Sequence, residues 1–474
     1  MSILKVNSDS RVYEITFDGK KLISELLLGN GIYVEHPCGG KGSCKKCTVI
    51  LDGKEVLSCR TYIENDTEIT ISEPDGMVSE SGANETGENS LNTVLCLDIG
   101  TTTLALALVS VDTKSVVKVY TCTNPQRVYG ADVITRIDHC SKHGVIELKN
   151  GVINAINRLL FELKCDYSVS SAKKLYVSGN TTMLHLFFGV DCSAMGFAPY
   201  TPSFIDEKRA TASSLGIDLD AEIISLPSIS AFVGADIVAG LNYVGLPENG
   251  KYSLLIDLGT NAEIVLFSDK GGLTTAAAAG PCFEGANISC GMSATEGAIY
   301  AFEEKNGEIQ FSTIGNTSPK GICGTGLIDL ISILLEKGIV DETGFMEYGD
   351  YLISDEVSFT GGDVRQYQLA KSAVYSAIRS LMKLRGVKYE DISKMYISGG
   401  FSAKINVINA VKTGLLPSEL ISKTVAINNS SLLGTVKFAL DGGDLLRITS
   451  GIRYVDLSAD PYFSDQFIEN MMFE

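Results

Sequence analysis

Apolar and polar positions alternate with period two over residues 2–6 and 12–17, which predicts two strands joined by a Ser-Asp-Ser turn. Residues 21–28, KLISELLL, switch to helical spacing and are stopped by Gly29-Asn30-Gly31. Thr48–Leu51 and residues 67–71 supply further strands, and Asp52-Gly53 is a two-residue hairpin signal between Leu51 and Val56. Strands flanking one helix predict a small β-grasp-like module over residues 1–72. Residues 73–92 contain no Lys or Arg and almost no large apolar side chain. Such a stretch cannot offset its ordering entropy by burial, so it is expected to be a flexible acidic linker. Its twenty residues have a random-coil reach of about 25 Å.

From residue 93 onward apolar strands alternate with long amphipathic helices, the pattern of an α/β domain. An internal repeat runs through it. Leu95-Cys-Leu-Asp98-Ile-Gly100-Thr101 matches Leu254-Leu-Ile-Asp257-Leu-Gly259-Thr260 at an offset of 159, and Tyr176-Val-Ser178-Gly179 matches Tyr396-Ile-Ser398-Gly399 at an offset of 220. Each half runs from an apolar strand through an Asp-x-Gly-Thr turn to a later strand ending in Ser-Gly. Two copies of one subdomain, 93–250 and 251–474, are expected to form two lobes around a cleft, the second carrying 61 more residues between its Asp-x-Gly-Thr and Ser-Gly elements.

Composition narrows the classes of partner. The chain has 474 residues, 45% hydrophobic and 20% charged, enough apolar content for a sizeable core. Its 39 Lys plus Arg stand against 57 Asp plus Glu, a net charge of −18, which argues against nucleic acid because phosphate backbones need clustered cations. The most apolar stretch, residues 94–110, carries Asp98, Gly100 and three threonines, so no membrane span is expected. The N-terminus has no charged-then-apolar leader pattern, and the expected location is cytoplasmic.

Four of the twelve cysteines fall within 22 residues, spaced Cys38-x5-Cys44-x2-Cys47-x11-Cys59. A two-iron, two-sulfur cluster needs four thiolates, three from one loop and a fourth to close the site. Gly39, Gly40 and Gly42 let the loop curl, and Lys41, Lys45 and Lys46 lower the cost of an anionic cluster. A four-cysteine zinc site is the competing reading, but zinc ribbons usually present two Cys-x2-Cys knuckles and this segment has one. The block resembles the plant-type [2Fe–2S] ferredoxins, and its short x11 gap resembles the ferredoxin-type domain of succinate dehydrogenase iron–sulfur subunits. That resemblance implies one-electron transfer with Cys38, Cys44, Cys47 and Cys59 as ligands. The x5 gap, where plant ferredoxins have x4, leaves the ligand assignment unchanged.

An Asp-x-Gly-Thr turn between apolar strands exposes N–H groups and Thr hydroxyls that can hold phosphate oxygens, and hydrated Mg²⁺ can bridge the Asp to a nucleotide. Two copies at matched places resemble the actin-like ATPase superfamily, which includes acetate and sugar kinases. By that resemblance Asp98, Gly100, Thr101, Thr102 and Thr103 form the first phosphate loop, and Asp257, Gly259, Thr260 and Asn261 the second. Gly399-Gly400, before a helix expected near Ser402, matches the adenosine-contacting motif. Gly324, within Gly321-Ile-Cys-Gly-Thr-Gly326, matches the connecting element.

A tighter resemblance rests on further stretches. Residues 124–134 (NPQRVYGADVI), 179–183 (GNTTM), 233–240 (VGADIVAG), 280–292 (GPCFEGANISCGM) and 454–463 (YVDLSADPYF) are similar to the reductive activators of corrinoid proteins. Two departures are visible: better-known members carry an extra small domain before the ATPase, and Ser293 and Thr295 replace an Arg- and Pro-bearing pattern. The resemblance implies ATP-dependent, one-electron reduction of Co(II) to Co(I) in a corrinoid methyl carrier. It requires a [2Fe–2S] cluster, ATP, Mg²⁺ and a low-potential electron donor. The alternatives are an activator of radical-type dehydratases or reductases and a small-molecule kinase with a redox-sensing module. A homodimer is left open.

Other residues read as structural. His36 suits a surface position beside the cysteines. Asp138-His139-Cys140-x2-His143 suits a charged helix surface, and His185 a core histidine; Cys282, Cys290 and Cys323 are weaker candidates for a second metal site.

Overall fold

A computed structural model describes residues 2–7, 12–30, 32, 34, 42, 47–71, 79–82, 92–347, 349–400 and 402–473. Its contacts divide the chain into two compact units, residues 1–227 with 439–441 and residues 228–438 with 442–474.

The first module contains β1 (Ser2–Asn7), β2 (Val12–Phe17), β3 (Lys21–Leu22), α1 (Ile23–Gly29), β4 (Thr48–Leu51), β5 (Lys54–Leu57), β6 (Tyr62–Ile63) and β7 (Thr67–Thr70). The sheet order is β2-β1-β7-β4-β5, with β1 and β7 parallel, a β-grasp arrangement. Alternation turns Leu4, Val6, Ile15, Phe17, Val49 and Ile69 to the face that receives Ile23 and Leu27 of α1. Burying each such side chain contributes roughly 1.5–3 kcal/mol. The helix starts two residues later than its spacing suggests, because Lys21 and Leu22 pair with Ile63 and Tyr62. Asp52 and Gly53 both take positive φ, 51° and 73°, as a tight two-residue hairpin requires.

The next set comprises β8 (Ser79–Gly82), β9 (Thr93–Ile99), β10 (Thr103–Ser110), β11 (Ser115–Thr123), α2 (Val133–His143), α3 (Ile146–Asp166), β12 (Lys174–Gly179), α4 (Thr181–Phe188), β13 (Arg209–Thr211), α5 (Ala212–Leu215) and β14 (Glu222–Ser225). The strands form one sheet, ordered β13-β14-β12-β9-β10-β11-β8. Strand β8 departs from the expected linker over 73–92: its backbone pairs with β11, from Thr121↔Ser79 to Lys118↔Gly82. Ladder bonds need no apolar side chain, so composition carries no sign of them.

The second unit contains α6 (Ala235–Val244), β15 (Tyr252–Leu258), β16 (Ala262–Ser268), β17 (Gly271–Ala277), β18 (Ala298–Lys305), β19 (Glu308–Thr313), β20 (Gly321–Ile322), α7 (Gly324–Glu336), β21 (Tyr351–Leu352), β22 (Ser358–Phe359), α8 (Gly361–Arg385), β23 (Ile392–Ser398), α9 (Val407–Lys412), β24 (Thr424–Ala426), α10 (Ser430–Asp441), α11 (Leu445–Gly451), β25 (Ile452–Tyr454) and α12 (Pro461–Glu469). Its main sheet is ordered β24-β23-β15-β16-β17-β25. The run β24-β23-β15-β16-β17 reproduces β14-β12-β9-β10-β11 strand for strand, so the sequence repeat is a structural one. The extra length of the second copy holds the small sheet β19-β18-β20 and the pair β21-β22. A helix expected near Ser402 is a single 3₁₀ turn, Ser402–Lys404, and the α-helix begins at Val407, where Asn406 caps it.

Residues 228–250 belong with the second unit, where α6 packs on β15 and α11. Gly434 of α10 lies so close to α6 that a Cβ there would sit 1.8 Å from the Ala239 carbonyl oxygen. Among the described residues, no helix is long and apolar enough to cross a membrane.

Candidate functional site

The β4–β5 hairpin brings two of the four clustered cysteines together. Cys47 precedes β4 and Cys59 follows β5, and the Ser58 N–H donates to the Cys47 carbonyl at 2.9 Å. Both side chains are buried, with their sulfurs 3.2 Å apart. A disulfide needs about 2.05 Å. Two thiolates sharing one tetrahedral metal at about 2.3 Å lie about 3.8 Å apart. The pair thus stands near ligand spacing, well beyond S–S bond length, at the edge of a packed core, which fits a metal–sulfur centre. Gly42 takes φ +73°, and a Cβ there would lie 2.8 Å from Nε of Arg60, so the glycine sits against a cationic side chain. Cys38, Cys44 and His36 lie outside the described residues.

The two Asp-x-Gly-Thr aspartates have the same register against the neighbouring Ser-Gly strand. Asp98 is the penultimate residue of β9 and pairs with Ser178; Asp257 is the penultimate residue of β15 and pairs with Ser398. In each copy the Ser-Gly glycine presses on the strand end beside it. A Cβ on Gly179 would sit 2.7 Å from the Ile99 carbonyl, and one on Gly399 2.2 Å from the Leu258 carbonyl. Both glycines have positive φ, so no other residue fits there without displacing the strand. Gly400 faces open space.

In the first loop the Gly100 N–H donates to Thr103 O at 2.9 Å, closing a hairpin around Thr101 and Thr102. Polar side chains hold it from behind. Asn124 Nδ2 donates to Gly100 O at 2.8 Å, and Asn180 Nδ2 to Thr101 Oγ1 at 3.0 Å. The buried Arg136 reaches Thr101 O. Asn180 also caps α4.

Carboxylates surround the second loop. The Thr260 N–H donates to Glu284 Oε1 at 3.1 Å, and the Gly280 N–H to Thr260 O at 3.0 Å. Thr260 Oγ1 is buried and has no hydrogen-bond partner among the described residues, a vacancy that a phosphate oxygen or a metal-bound water would fill. Glu263 pairs with Asp257 across β15 and β16. Burial pushes its carboxyl well above the usual range, and the charges of Asp236, Asp257 and Glu284 push the same way. Asn261 ends the turn. Gly324 opens α7 against the Phe283 backbone, where a Cβ would meet the carbonyl oxygen at 2.1 Å, so its role here is close packing beside Glu284.

Arg136, Glu263 and Glu284 carry no functional signal in the sequence reading. Glu284 falls inside one of the family-like stretches, and Arg136 two residues past another. Glu263 is a carboxylate in an otherwise apolar strand, which is a readable anomaly. His185 is a satisfied core histidine: Nδ1 lies 2.7 Å from Thr181 O, and Nε2 accepts from the Ser203 N–H at 3.0 Å. His139 and His143 stack on α2 beside Glu147. Among the described residues, no three His, Cys, Asp or Glu side chains are placed to hold a metal ion.

Three family models match in succession. Residues 6–72 match the 2Fe-2S iron-sulfur cluster binding domain, 94–249 the RACo middle region, and 251–474 the C-terminal domain of RACo, described as the ASKHA domain. Fold and matches together define a class, a ferredoxin-type iron–sulfur domain joined to an actin-like nucleotide-binding domain. The chain is 26% identical to the corrinoid activation enzyme RamQ of Eubacterium limosum over 97% of each chain. It is 28% identical to the [Co(II) methylated amine-specific corrinoid protein] reductase of Methanosarcina barkeri, covering 71% of this chain and 68% of that one. A solved reductive activator for a corrinoid, iron-sulfur protein superposes with TM-score 0.74 at 25% identity, covering 99% of this chain and 98% of the other. The chain belongs to the family of reductive activators of corrinoid proteins.

Proposed function

We propose that this protein is an ATP-dependent reductive activator that delivers one electron to the Co(II) of a corrinoid protein and so restores Co(I). The observation that carries this reading is the near full-length similarity to a corrinoid activation enzyme, with both the iron–sulfur and the ATPase module retained. A bound [2Fe–2S] cluster supplies reversible one-electron chemistry at low potential. Cys38, Cys44, Cys47 and Cys59 would hold it. A low-potential donor in the cytoplasm provides the electron.

On the ATPase side, Thr101, Thr102 and Thr103 hold phosphate oxygens through N–H and hydroxyl groups, and the Thr260 hydroxyl and Asn261 do so from the second loop. Asp98 and Asp257 would hold Mg²⁺. Gly399-Gly400 lets adenosine approach the backbone, and Gly324 seats the helix beside the second loop. ATP binding and hydrolysis favour the state of the complex in which transfer to cobalt is downhill.

The test is anaerobic mixing of the chain with a Co(II) corrinoid protein, a low-potential reductant and Mg-ATP, following the Co(I) spectrum. Wild type is expected to form Co(I) in an ATP-dependent manner. Asp98→Ala and Asp257→Ala are expected to keep their iron and lose roughly 10²-fold or more of the ATP-stimulated rate. Full cobalt reduction by either variant removes the ATPase from the mechanism, and a purified chain holding zinc or no iron removes the electron carrier.

A further inference from the structure

Arg136, on α2, is completely buried, and its guanidinium forks into the back of the first phosphate loop. Nη2 donates to Thr101 O at 2.6 Å, Nε to Gly130 O at 3.0 Å, and Nη1 to Gln126 Oε1 at 3.3 Å and Met183 Sδ at 3.2 Å. Gln126 is held in turn by its Nε2 donating to Leu148 O at 2.9 Å. Asn124 tethers the carbonyls on either side: Nδ2 donates to Gly100 O and its backbone N–H to Thr102 O, both at 2.8 Å. Three consecutive carbonyls, those of Gly100, Thr101 and Thr102, are therefore turned back into the protein and fixed there.

A trans peptide is planar, and its N–H points opposite to its C=O. Pinning these three carbonyls inward turns the N–H groups of Thr101, Thr102 and Thr103 the other way, as a row of donors. Arg136 adds charge to that geometry. A guanidinium stays protonated at any working pH, and burying it is costly unless an anion or strong acceptors compensate it. Its bond to Thr101 O also polarises the Thr101–Thr102 peptide, which makes the Thr102 N–H a stronger donor on the far face.

We infer that Arg136 is a positioning residue for nucleotide phosphate: it aims the first loop and lends it positive potential without touching the ligand. The inference rests on the proposal above that this loop holds ATP phosphates. It separates phosphate recognition from adenosine recognition, since the latter is assigned to Gly399-Gly400.

The test compares Mg-ATP and adenosine binding by calorimetry, under anaerobic conditions with the full chain, for wild type, Arg136→Gln and Arg136→Lys. Arg136→Gln is expected to weaken ATP about 10- to 100-fold and adenosine less than about twofold. Arg136→Lys, which keeps the charge but loses the fork, is expected to fall between the two. Equal losses for both ligands, or no loss for ATP, overturn the inference. If Arg136→Gln fails to fold, Gln126→Glu decides, because it sets a carboxylate beside Nη1 and cancels the charge in place. That variant is expected to lose ATP affinity several-fold with adenosine unchanged, and unchanged ATP affinity overturns the inference. Wild type that binds no ATP would take down the nucleotide reading as well, whereas wild-type binding with unaffected variants takes down this inference alone.

Discussion

The two Asp-x-Gly-Thr loops share a penultimate strand aspartate and a neighbouring Ser-Gly strand end, yet the second turn is one residue shorter and opposite charges stand behind them. The first is backed by the Arg136 guanidinium and the amides of Asn124 and Asn180. The second is backed by Glu284, which accepts from the Thr260 N–H, and by Glu263 and Asp236 near Asp257. The cross-strand partner of the aspartate is Ala105 in the first copy and, through the shorter turn, Glu263 in the second. The two copies thus place an aspartate alike and surround it with different charges. A cationic back wall suits an anion directly. An acidic one suits phosphate only when a cation such as Mg²⁺ stands between them.

The sharpest way to break the comparison is at the loop glycines. A Cβ on Gly100 would lie 2.7 Å from the Thr103 backbone oxygen, whereas one on Gly259 meets only Asn261 O at 3.4 Å and Glu284 Oε1 at 3.5 Å. Gly100→Ala is expected to cost about 1–3 kcal/mol of stability and to weaken ATP binding, and Gly259→Ala to cost less than about 1 kcal/mol. Thermal unfolding with ATP titration checks both, and equal costs would show the two loops to be tighter copies than their contacts indicate.

A smaller effect is expected at Glu284, which occupies a loop N–H that phosphate would otherwise use. Glu284→Gln weakens that internal bond and removes a negative charge, so ATP affinity without Mg²⁺ is expected to rise by an amount on the order of 0.5–1.5 kcal/mol. The Mg²⁺ dependence of binding should flatten accordingly. Falling affinity in metal-free titrations would mean that Glu284 braces the loop rather than competing for it.

The gentlest test is pH. The folded-state pKa of Glu263 is raised above its ordinary value, first by burial and then by Asp236, Asp257 and Glu284. Between the ordinary and the raised value the folded chain binds more protons than the unfolded one, so this group makes stability fall as pH rises through that window. Glu263→Gln is expected to melt above wild type at pH 8 in metal-free buffer, with the gap closing below the usual glutamate range. A gap independent of pH would place the cause in packing.

Some of this was legible from residues alone. Asp52-Gly53 specifies its hairpin because few other pairs tolerate two positive φ values. The spacing of Cys47 and Cys59 announces a shared site because a short hairpin returns one beside the other. The repeat offsets locate both loops because strand and turn are local. Strand β8 was invisible, since Ser79–Gly82 joins the sheet through backbone bonds that its composition does not encode. The placement of α6 was equally hidden. An apolar helix shows that it is buried but not against which lobe.

What the sequence by itself determined is the modular order, the duplicated α/β core, the cysteine set and the two turn motifs, all signals carried within a few neighbouring positions. Only the tertiary structure decided that one loop is held by a buried cation and the other ringed by carboxylates. The reason is separation along the chain: Arg136 reaches Thr101 across 35 residues, Asn180 across 79, and Glu284 reaches Thr260 across 24. Charges that far from a motif act on it only once packing has brought them within hydrogen-bond distance.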